Sequence, residues 1–352
     1  MKKVLVLGSS IALGVYTPAV WLCRSLEKRG VECRLICLEN LYTEEKRNLV
    51  DVNKYKFHKN FKLAKAAHAM ENHVVDTVDE EAKEQFLEEC IREEYDSIVC
   101  VSGFWVSIME ELMDRAPVYR NRVKALRMDS VTPNSWKHAN CDKIQKYCLF
   151  DLESNTTPYK LSDITPKSAG ERNGRIVAHG GGWGLGTYRK TIGKLNEMGF
   201  PVDIICCYED EYDENDKVNR YFLLDPTWKA SEHQGQFPPN LIRRENGWEK
   251  WNQDSGISDM LALLRDAVAV VTKPGGGTLA DSMVACTPIL FLEALAGYEQ
   301  KNAQMWIQNG YGMPFEDWAA CDDPRKELEI KTNKLLQDMH DVKVLGEEIY
   351  GK

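Results

Sequence analysis

The sequence has no hydrophobic run long enough to cross a membrane, which takes about 18 consecutive apolar residues. It also has no segment typical of a secretory signal peptide, because the apolar run that follows Lys2 and Lys3 ends at Gly8. That short run is typical of a first β-strand instead. We therefore expect a cytoplasmic protein without a transmembrane segment.

Recognisable disulfide and metal-binding patterns are missing as well. The 11 cysteines are odd in number, and none of them forms a C-x-x-C pair. No group of histidines and cysteines has the spacing of metal ligands. We expect reduced thiols, no metal site and no cofactor.

The chain has no excess of positive charge. It carries 45 basic and 54 acidic residues, a net charge of -9, so the field of the whole protein opposes nucleic acid as the main partner. Its 43% hydrophobic and 28% charged residues are typical of a globular protein and exclude whole-chain disorder. A length of 352 residues suggests two domains.

Short apolar runs alternate with amphipathic segments along most of the chain, a pattern typical of βαβ units and parallel sheets. The polar, proline-containing segment 152–173 divides this pattern into two series. We predict an α/β protein with two doubly wound, Rossmann-like domains, 1–151 and 174–325, joined by the linker 152–173. The last residues, 326–352, are predicted to be helices that pack back on the first domain. Ligands of such domains bind at the carboxyl ends of the strands, so we expect the site in the cleft between them.

Two glycine-rich turns follow predicted strands of the second domain. One spans residues 180–186, and the other is Gly275-Gly276-Gly277, two residues after Lys273. Glycines let backbone N–H groups approach a ligand, and the start of the following helix attracts anions, so these turns suit a diphosphate. Neither turn matches the P-loop motif, and the first strand lacks the complete dinucleotide fingerprint, which disfavours a P-loop NTPase and an NAD enzyme.

The segment 270–312 resembles the donor-binding half of glycosyltransferase family 28. That family includes the monogalactosyldiacylglycerol synthases, the bacterial diacylglycerol glucosyltransferases and the N-acetylglucosaminyltransferase that completes lipid II. The residues in register with the family pattern are Thr272, Lys273, Gly275, Thr278, Pro288, Gly297, Glu299, Asn302, Asn309, Gly310 and Gly312. Asp281 stands where the family has Glu, and Cys286-Thr287-Pro288 replaces the usual Gly-x-Pro.

This resemblance implies the two-domain GT-B fold and an inverting, metal-independent hexosyltransferase. It implies a nucleotide-diphosphate sugar donor, usually UDP and alternatively dTDP, bound by the second domain, with the acceptor bound by the first. The implied nucleotide-binding residues are Gly181, Gly182, Ile257, Lys273, Gly276, Gly277, Thr278 and Asp281. In these roles the backbone at Ile257 pairs with the edge of the uracil ring, and Asp281 accepts hydrogen bonds from the ribose hydroxyls. Glu299 and Gln300 are implied to hold the donor sugar.

The first domain departs from the family. Val15 stands where many relatives carry a histidine, so no base is carried over. An alcohol acceptor needs a base, and two acids follow predicted strands of this domain. We expect Asp129 to be the base in preference to Glu39. The residues expected to line the acceptor cleft are Ser10, Tyr16, Ser102, Gly103, Phe104 and Trp105.

Two further segments leave alternatives open. Residues 52–70 are basic and amphipathic, which suits peripheral membrane contact or a solvated rim of the acceptor cleft. Residues 225–253 contain Trp228, Trp248 and Trp251, and this segment is too long to be a simple connecting loop. They suit a lid or an irregular insertion.

For the function we expect transfer of a sugar to a small-molecule acceptor, such as a natural product, or to a lipid. A nucleotide-sugar hydrolase or epimerase on the same fold is the alternative within enzymes. A non-catalytic nucleotide-sugar-binding partner subunit is the alternative outside them.

Overall fold

The structure is a computed structural model that describes residues 1–11, 13–69, 78–137, 139–142, 144–230, 232–251 and 256–350. The described strands are β1 (Lys3–Gly8), β2 (Glu32–Cys37), β3 (Ser97–Cys100), β4 (Val123–Arg127), β5 (Gln145–Cys148), β6 (Tyr159–Lys160), β7 (Ile176–Ala178), β8 (Val202–Cys206), β9 (Arg220–Leu224), β10 (Asn240–Arg244), β11 (Gly247–Lys250), β12 (Ala269–Thr272), β13 (Ile289–Phe291), β14 (Gly312–Pro314) and β15 (Lys343–Val344). The described α-helices are α1 (Leu13–Glu27), α2 (Glu44–Lys59), α3 (Phe61–Ala69), α4 (Glu80–Glu93), α5 (Val106–Arg115), α6 (Ile192–Glu197), α7 (Asp259–Asp266), α8 (Gly276–Ala285), α9 (Gly297–Gln308), α10 (Phe315–Ala319), α11 (Pro324–Met339) and α12 (Leu345–Tyr350).

The strands form two large sheets, one in each domain. The first sheet has five parallel strands in the order β2-β1-β3-β4-β5. The second has eight strands in the order β11-β10-β9-β8-β7-β12-β13-β14. In the first sheet and in strands β7, β8, β12 and β13, most residues are buried, as expected when helices cover both faces of a parallel sheet. The predicted α/β architecture with two parallel-rich sheets is confirmed.

The second sheet is larger than the sequence pattern predicted. Strands β10 and β11 pair antiparallel, and β10 pairs antiparallel with β9. Two of these strands lie within 225–253, a segment interpreted above only as a lid or an irregular insertion. This hairpin lies at the edge of the sheet, with much of it on the surface. Most of its residues are therefore polar or charged, and it lacks the apolar run of the central strands.

Helix α1 begins earlier than its pattern predicted. We expected a first turn at Thr17, but the helix starts at Leu13, so Pro18 lies in its interior. Pro18 has no N–H to donate to the carbonyl of Gly14. That carbonyl lies against Gly277 of α8, in the other domain.

The segment 152–173 contains ordered structure. Strand β6 pairs with β15 near the C-terminus, and Arg172 is 9% exposed. The Arg172 guanidinium lies at the C-terminal ends of α7 and α8, where a cation is favoured by the exposed carbonyls. Its six acceptors are the carbonyls of Leu264, Ala267, Lys167, Ala285 and Cys286 and the hydroxyl of Thr287. Burial lowers the pKa of Arg172 to about 10, so it stays charged at neutral pH.

The C-terminal helix α12 packs on the first domain. Gly346 lies against Ser25 of α1, and Glu347 pairs with Arg29 at 2.6 Å. Lys124 of β4 donates to the carbonyl of Ile349 at 3.1 Å. Of the C-terminal segment, residues 351–352 lie outside the described part of the chain. Within the described ranges, no helix is both long and apolar enough to span a membrane.

We predict that Arg172→Ala lowers the free energy of unfolding by about 3 kcal/mol or more, because it leaves several buried carbonyls without a hydrogen-bond donor. Urea unfolding of the purified protein measures this. The matched control is Arg120→Ala, which removes an exposed guanidinium and is expected to cost less than about 0.5 kcal/mol. Equal stability of the two variants would contradict the role given to Arg172.

Candidate functional site

The second glycine turn forms the start of α8. Strand β12 ends at Thr272, and α8 begins at Gly276 without a side-chain cap. Among the residues that the structure describes, no acceptor meets the backbone N–H groups of Gly276, Gly277 and Thr278. Three unpaired N–H groups at the positive end of a helix form a binding place for an anion.

Lys273 lies beside this turn and pairs with Glu299. Glu299 is 2% exposed, and its other oxygen accepts the N–H of Leu295 at 2.7 Å. The carboxylate of Glu299 is thus buried, paired with a cation and fixed in position, and it holds the ammonium of Lys273 near the carboxyl end of β12. Gln300, the next residue, is exposed.

Asp281 lies one turn into α8 and is half-buried. Within the described ranges no group hydrogen-bonds to its carboxyl, and burial raises its pKa from the usual value to about 7. A desolvated carboxyl without a partner is costly. It is therefore a place where a ligand hydroxyl would be favoured.

The first domain touches the start of α8 directly. A Cβ on Gly277 would lie 2.7 Å from the Cα of Gly14. A Cβ on Gly276 would lie 2.7 Å from Asp129 Oδ1 and 2.8 Å from the carbonyl oxygen of Met128. Contacts this short admit only glycine, so these two glycines serve the contact between domains as well as the anion-binding turn.

Asn302 of α9 joins the two domains at the same place. Its amide donates to Asp129 Oδ1 at 2.8 Å and to the carbonyl of Pro274 at 3.1 Å. Its oxygen accepts the N–H and the hydroxyl of Ser130 at 2.8 and 2.9 Å. Burial raises the pKa of Asp129 to about 6. Asn302 was in register with the family pattern but had no assigned role, and only the structure reveals its partners.

The first glycine turn is packed against the first domain. The indole N–H of Trp183 donates to the carbonyl of Ile11, and a Cβ on Gly182 would lie 2.6 Å from Leu13 Cγ. Gly181 has a φ of +70° and is half-buried. The structure therefore brings Gly181 and Gly182 to the domain boundary. Ile257 is half-buried just before α7 and packs against the main hydrophobic core.

Glu39, the second candidate base, holds the loop between β1 and α1. It is 4% exposed and accepts from the hydroxyl of Ser9, from the N–H and hydroxyl of Ser10 and from the N–H of Ile11. Four donors satisfy this carboxylate within the first domain. Ser10, expected to line the acceptor cleft, is thus engaged with Glu39.

The expected acceptor residues 102–105 lie behind the loop that follows β4. Trp105 is fully buried in the core of the first domain, and its indole N–H donates to the carbonyl of Gly8 at 2.7 Å. A Cβ on Gly103 would lie 2.2 Å from the carbonyl oxygen of Ser135. Ser102 is buried and Phe104 half-buried. Trp105 is therefore a core residue, a role that an apolar helical pattern does not distinguish from a ligand contact.

Tyr16 is covered by residues 225–239, here called the strap, of which Ser231 lies outside the described residues. The Tyr16 hydroxyl donates to the carbonyls of His233 and Gln236, both at 2.9 Å. Trp228 of the strap meets the Tyr16 ring edge-on, with centroids 5.4 Å apart. The strap thus crosses from the second domain to α1 of the first.

The basic segment 52–70 also joins the domains, in its described part; Met70 lies outside it. His58 of α2 is buried and contacts the carbonyl of Trp183 and the carboxylate of Glu211. Lys59 pairs with Asp210 and Lys65 with Glu293. Some of the charge that suggested a membrane surface therefore meets acids of the second domain.

His68, near the end of α3, lies against the second domain at a place that sequence reasoning missed. Its Nε2 is buried and has no partner among the described residues, and its ring lies 5.6 Å from that of Tyr298. Burial lowers its pKa, and Lys273 lowers it further, while Glu299 opposes this shift. A lone histidine in a basic helix carries no sequence signal of this position.

We predict that Asp281→Asn stabilises the ligand-free protein in alkaline buffer. Because the folded pKa of Asp281 is raised, its ionisation destabilises the fold increasingly as the pH rises from about 4 to about 7. Allowing for its partial exposure, the expected gain is about 1–3 kcal/mol at about pH 8 and smaller at about pH 5. Thermal and urea unfolding at both pH values measure it.

The control for this prediction is Asp322→Asn, which changes an exposed acid outside the site and is expected to leave stability unchanged. A loss of stability in Asp281→Asn at about pH 8 would show that the carboxylate has a structural partner.

Comparisons with known proteins identify the fold. No protein-family model and no curated protein matches the chain. Among solved structures, the glycosyltransferase SsfS6 of Streptomyces sp. SF2575 in complex with thymidine diphosphate is 12% identical, with a TM-score of 0.55, and each chain covers 99% of the other. MurG of Acinetobacter baumannii is 13% identical with a TM-score of 0.51, again with 99% of both chains covered.

UGT89C1 of Arabidopsis thaliana in complex with UDP-L-rhamnose is 12% identical, with a TM-score of 0.51 and 99% of each chain covered. At these identities the likeness concerns the fold, and it extends over both domains. The expected GT-B architecture is thereby confirmed: over its whole length the chain has the two-domain fold of these solved glycosyltransferases.

Proposed function

We propose that this protein is an inverting glycosyltransferase that moves a hexose from a UDP-sugar to a small or amphipathic acceptor, a natural product or a lipid. The observation that carries this proposal is the start of α8. There, three N–H groups that meet no acceptor among the described residues lie beside Lys273, and the carboxyl of Asp281, also without a described partner, follows one turn later.

The donor nucleotide fits these groups by charge and by hydrogen bonding. The diphosphate would accept from the N–H groups of Gly276, Gly277 and Thr278, with Lys273 adding a formal positive charge. Asp281 would accept hydrogen bonds from the ribose hydroxyls, and these bonds would offset the unfavourable free energy of burying its carboxyl. The similar structures that bind thymidine diphosphate and UDP-L-rhamnose support a nucleoside-diphosphate sugar and leave dTDP-sugars as the second donor class.

In the proposed reaction the acceptor oxygen forms a bond to the anomeric carbon while the bond from that carbon to the diphosphate breaks. UDP leaves with the bonding electron pair, and its charge is met by Lys273 and by the N-terminus of α8. These groups supply the stabilisation that other transferases obtain from a metal ion, so the proposed reaction needs none. The acceptor proton passes to a base.

Asp129 is the proposed base. Its carboxylate lies at the domain contact, where the amide of Asn302 orients it. With a pKa raised to about 6, it is ionised at neutral pH and still basic enough to take a proton. His68, whose Nε2 has no partner among the described residues, is the second candidate base, and the test below includes it.

We predict that UDP at about 1 mM raises the melting temperature by several degrees, because a ligand at about 100 times its dissociation constant adds about 2.7 kcal/mol. UDP, dTDP and GDP are compared, with and without EDTA. The rise is expected to be lost in Asp281→Ala, which removes the oxygens that would accept from the ribose, and kept in Asp322→Ala. A shift with dTDP instead of UDP reassigns the donor, and loss of the shift with EDTA contradicts metal independence.

A protein that no nucleotide stabilises would contradict the proposal and favour the non-catalytic partner subunit. Release of UDP from UDP-sugars at an equal rate with and without acceptors would favour the hydrolase. An acceptor screen followed by NMR of the anomeric proton reports the stereochemistry, and a product with retained configuration would contradict inversion.

We predict that Asp129→Asn lowers kcat by about 100-fold to 10,000-fold, the range of a lost general base, and changes the affinity for UDP little. The asparagine keeps an oxygen for Asn302, which protects the domain contact. In the wild type the rate is expected to rise with pH through about 6, as Asp129 loses its proton, and then to level off. If Asp129→Asn keeps the rate and His68→Gln loses it, the base is His68.

A further inference from the structure

Two buried side-chain atoms at the carboxyl ends of β7 and β12 have no hydrogen-bond partner among the described residues. His179 follows β7 directly and is 5% exposed, and its Nε2 meets no acceptor among the described residues. Thr272, the last residue of β12, is fully buried, and its hydroxyl is unpartnered in the same part of the structure. Buried polar groups are rarely left unpaired in folded proteins, so these two atoms are available to hydrogen-bond a ligand.

The hydrogen bonding of His179 determines which ring nitrogen carries the proton. The N–H of Gly181 donates to Nδ1 at 2.9 Å, so Nδ1 is an acceptor and the hydrogen of the neutral ring is on Nε2. Burial and the nearby Lys273 lower the pKa of His179 to about 4. The ring is therefore neutral at physiological pH and presents a fixed N–H donor.

The sheet register places both groups on the side of the anion-binding turn. Val177 pairs with Val270 and Ala178 with Val271, so the next pair is His179 and Thr272. The N–H of His179 donates to the carbonyl of Val271, which continues the ladder. Because side chains alternate along a strand, His179 and Thr272 face the same way as Val177 and Val270. Those valines share a core cluster with Leu279 and Ala280 of α8.

The chemistry of this group of residues favours an anionic ligand with several acceptor oxygens. Nε2–H, the threonine hydroxyl, Lys273 and the N–H groups of α8 are all donors. A cation would be repelled by Lys273 and would find no lone pair on Nε2. A phosphate oxygen accepts from each of these groups.

We propose that His179, through its Nε2–H and with help from the Thr272 hydroxyl, donates a hydrogen bond to the diphosphate of the bound nucleotide. This inference rests on the proposed function and adds a binding residue to it. His179 lies in the first glycine turn and Thr272 beside the second, so one anion would join both turns. The free imidazole N–H then becomes satisfied only when the donor is bound.

The test uses two variants that separate the nitrogens of His179. In His179→Asn the side-chain oxygen replaces Nδ1 as acceptor for Gly181, while the donor at the Nε2 position is deleted. In His179→Gln the amide reaches the Nε2 position and retains a donor there. His340→Asn, at an exposed histidine, is the matched control. Calorimetric titration of each full-length protein with uridine and UDP gives the affinities.

We expect His179→Asn to bind UDP about 10-fold more weakly, the effect of losing about 1.4 kcal/mol, with the affinity for uridine unchanged. His179→Gln is expected to stay within about 3-fold of the wild type, and Thr272→Val to lose less than His179→Asn. Ligand-free His179→Asn is expected to melt somewhat below the wild type because the smaller side chain leaves a cavity at this buried position, which is why uridine affinity serves as the internal control.

Unchanged UDP affinity in His179→Asn would overturn this inference while leaving the proposed function intact. Equal losses for uridine and UDP would overturn it as well, since they would indicate damage to the nucleoside pocket rather than loss of a phosphate contact. If the wild type binds no nucleoside diphosphate, the proposed function and this inference fail together.

Discussion

The two domains meet backbone to backbone at the start of α8, and the rest of the candidate site depends on this contact. Gly276 and Gly277 lie so close to Asp129 and Gly14 that a single methyl group on either would collide. Asn302 then links the carboxyl end of β4 to the turn before α8 through four hydrogen bonds. The groups proposed to bind the donor and the group proposed to activate the acceptor are thereby held within one small region.

The acids of this region differ in how far other groups of the described chain satisfy their carboxyls. Glu39 and Glu299 are buried but have donors around them, including a lysine in the case of Glu299. Asp281 has no partner within the described chain, and Asp129 has one amide, so burial raises the pKa of both. An unsatisfied carboxyl costs stability in the free protein and is favourable where a ligand supplies hydrogen bonds.

Contacts outside the strand ends strengthen the association of the domains. The strap brings Trp228 and Phe237 of the second domain onto α1, and α2 brings His58 of the first domain onto Glu211. Helix α12 returns from the C-terminus to α1. The strap and α2 come from segments that the sequence pattern had marked only as irregular or basic, whereas the C-terminal residues were predicted to be helices that pack on the first domain.

The sequence by itself determined the fold class, the two sheets and the second glycine turn. Apolar periodicity and glycine spacing are local properties, and they predicted strands such as β1 and β8 nearly residue by residue. Local patterns also marked Lys273 and Asp129, because each follows a predicted strand, whereas Asp281 was marked by the resemblance to glycosyltransferase family 28.

Only the tertiary structure decided which polar groups meet across the domains. Burial and hydrogen-bond partners depend on residues far apart in the chain, as for Asn302 with Ser130 and His68 with Tyr298. The same dependence placed Trp105 in the core and left Nε2 of His179 without an acceptor among the described residues. No local pattern distinguishes these outcomes, because each is determined by the packing of one domain against the other or of one helix against its sheet.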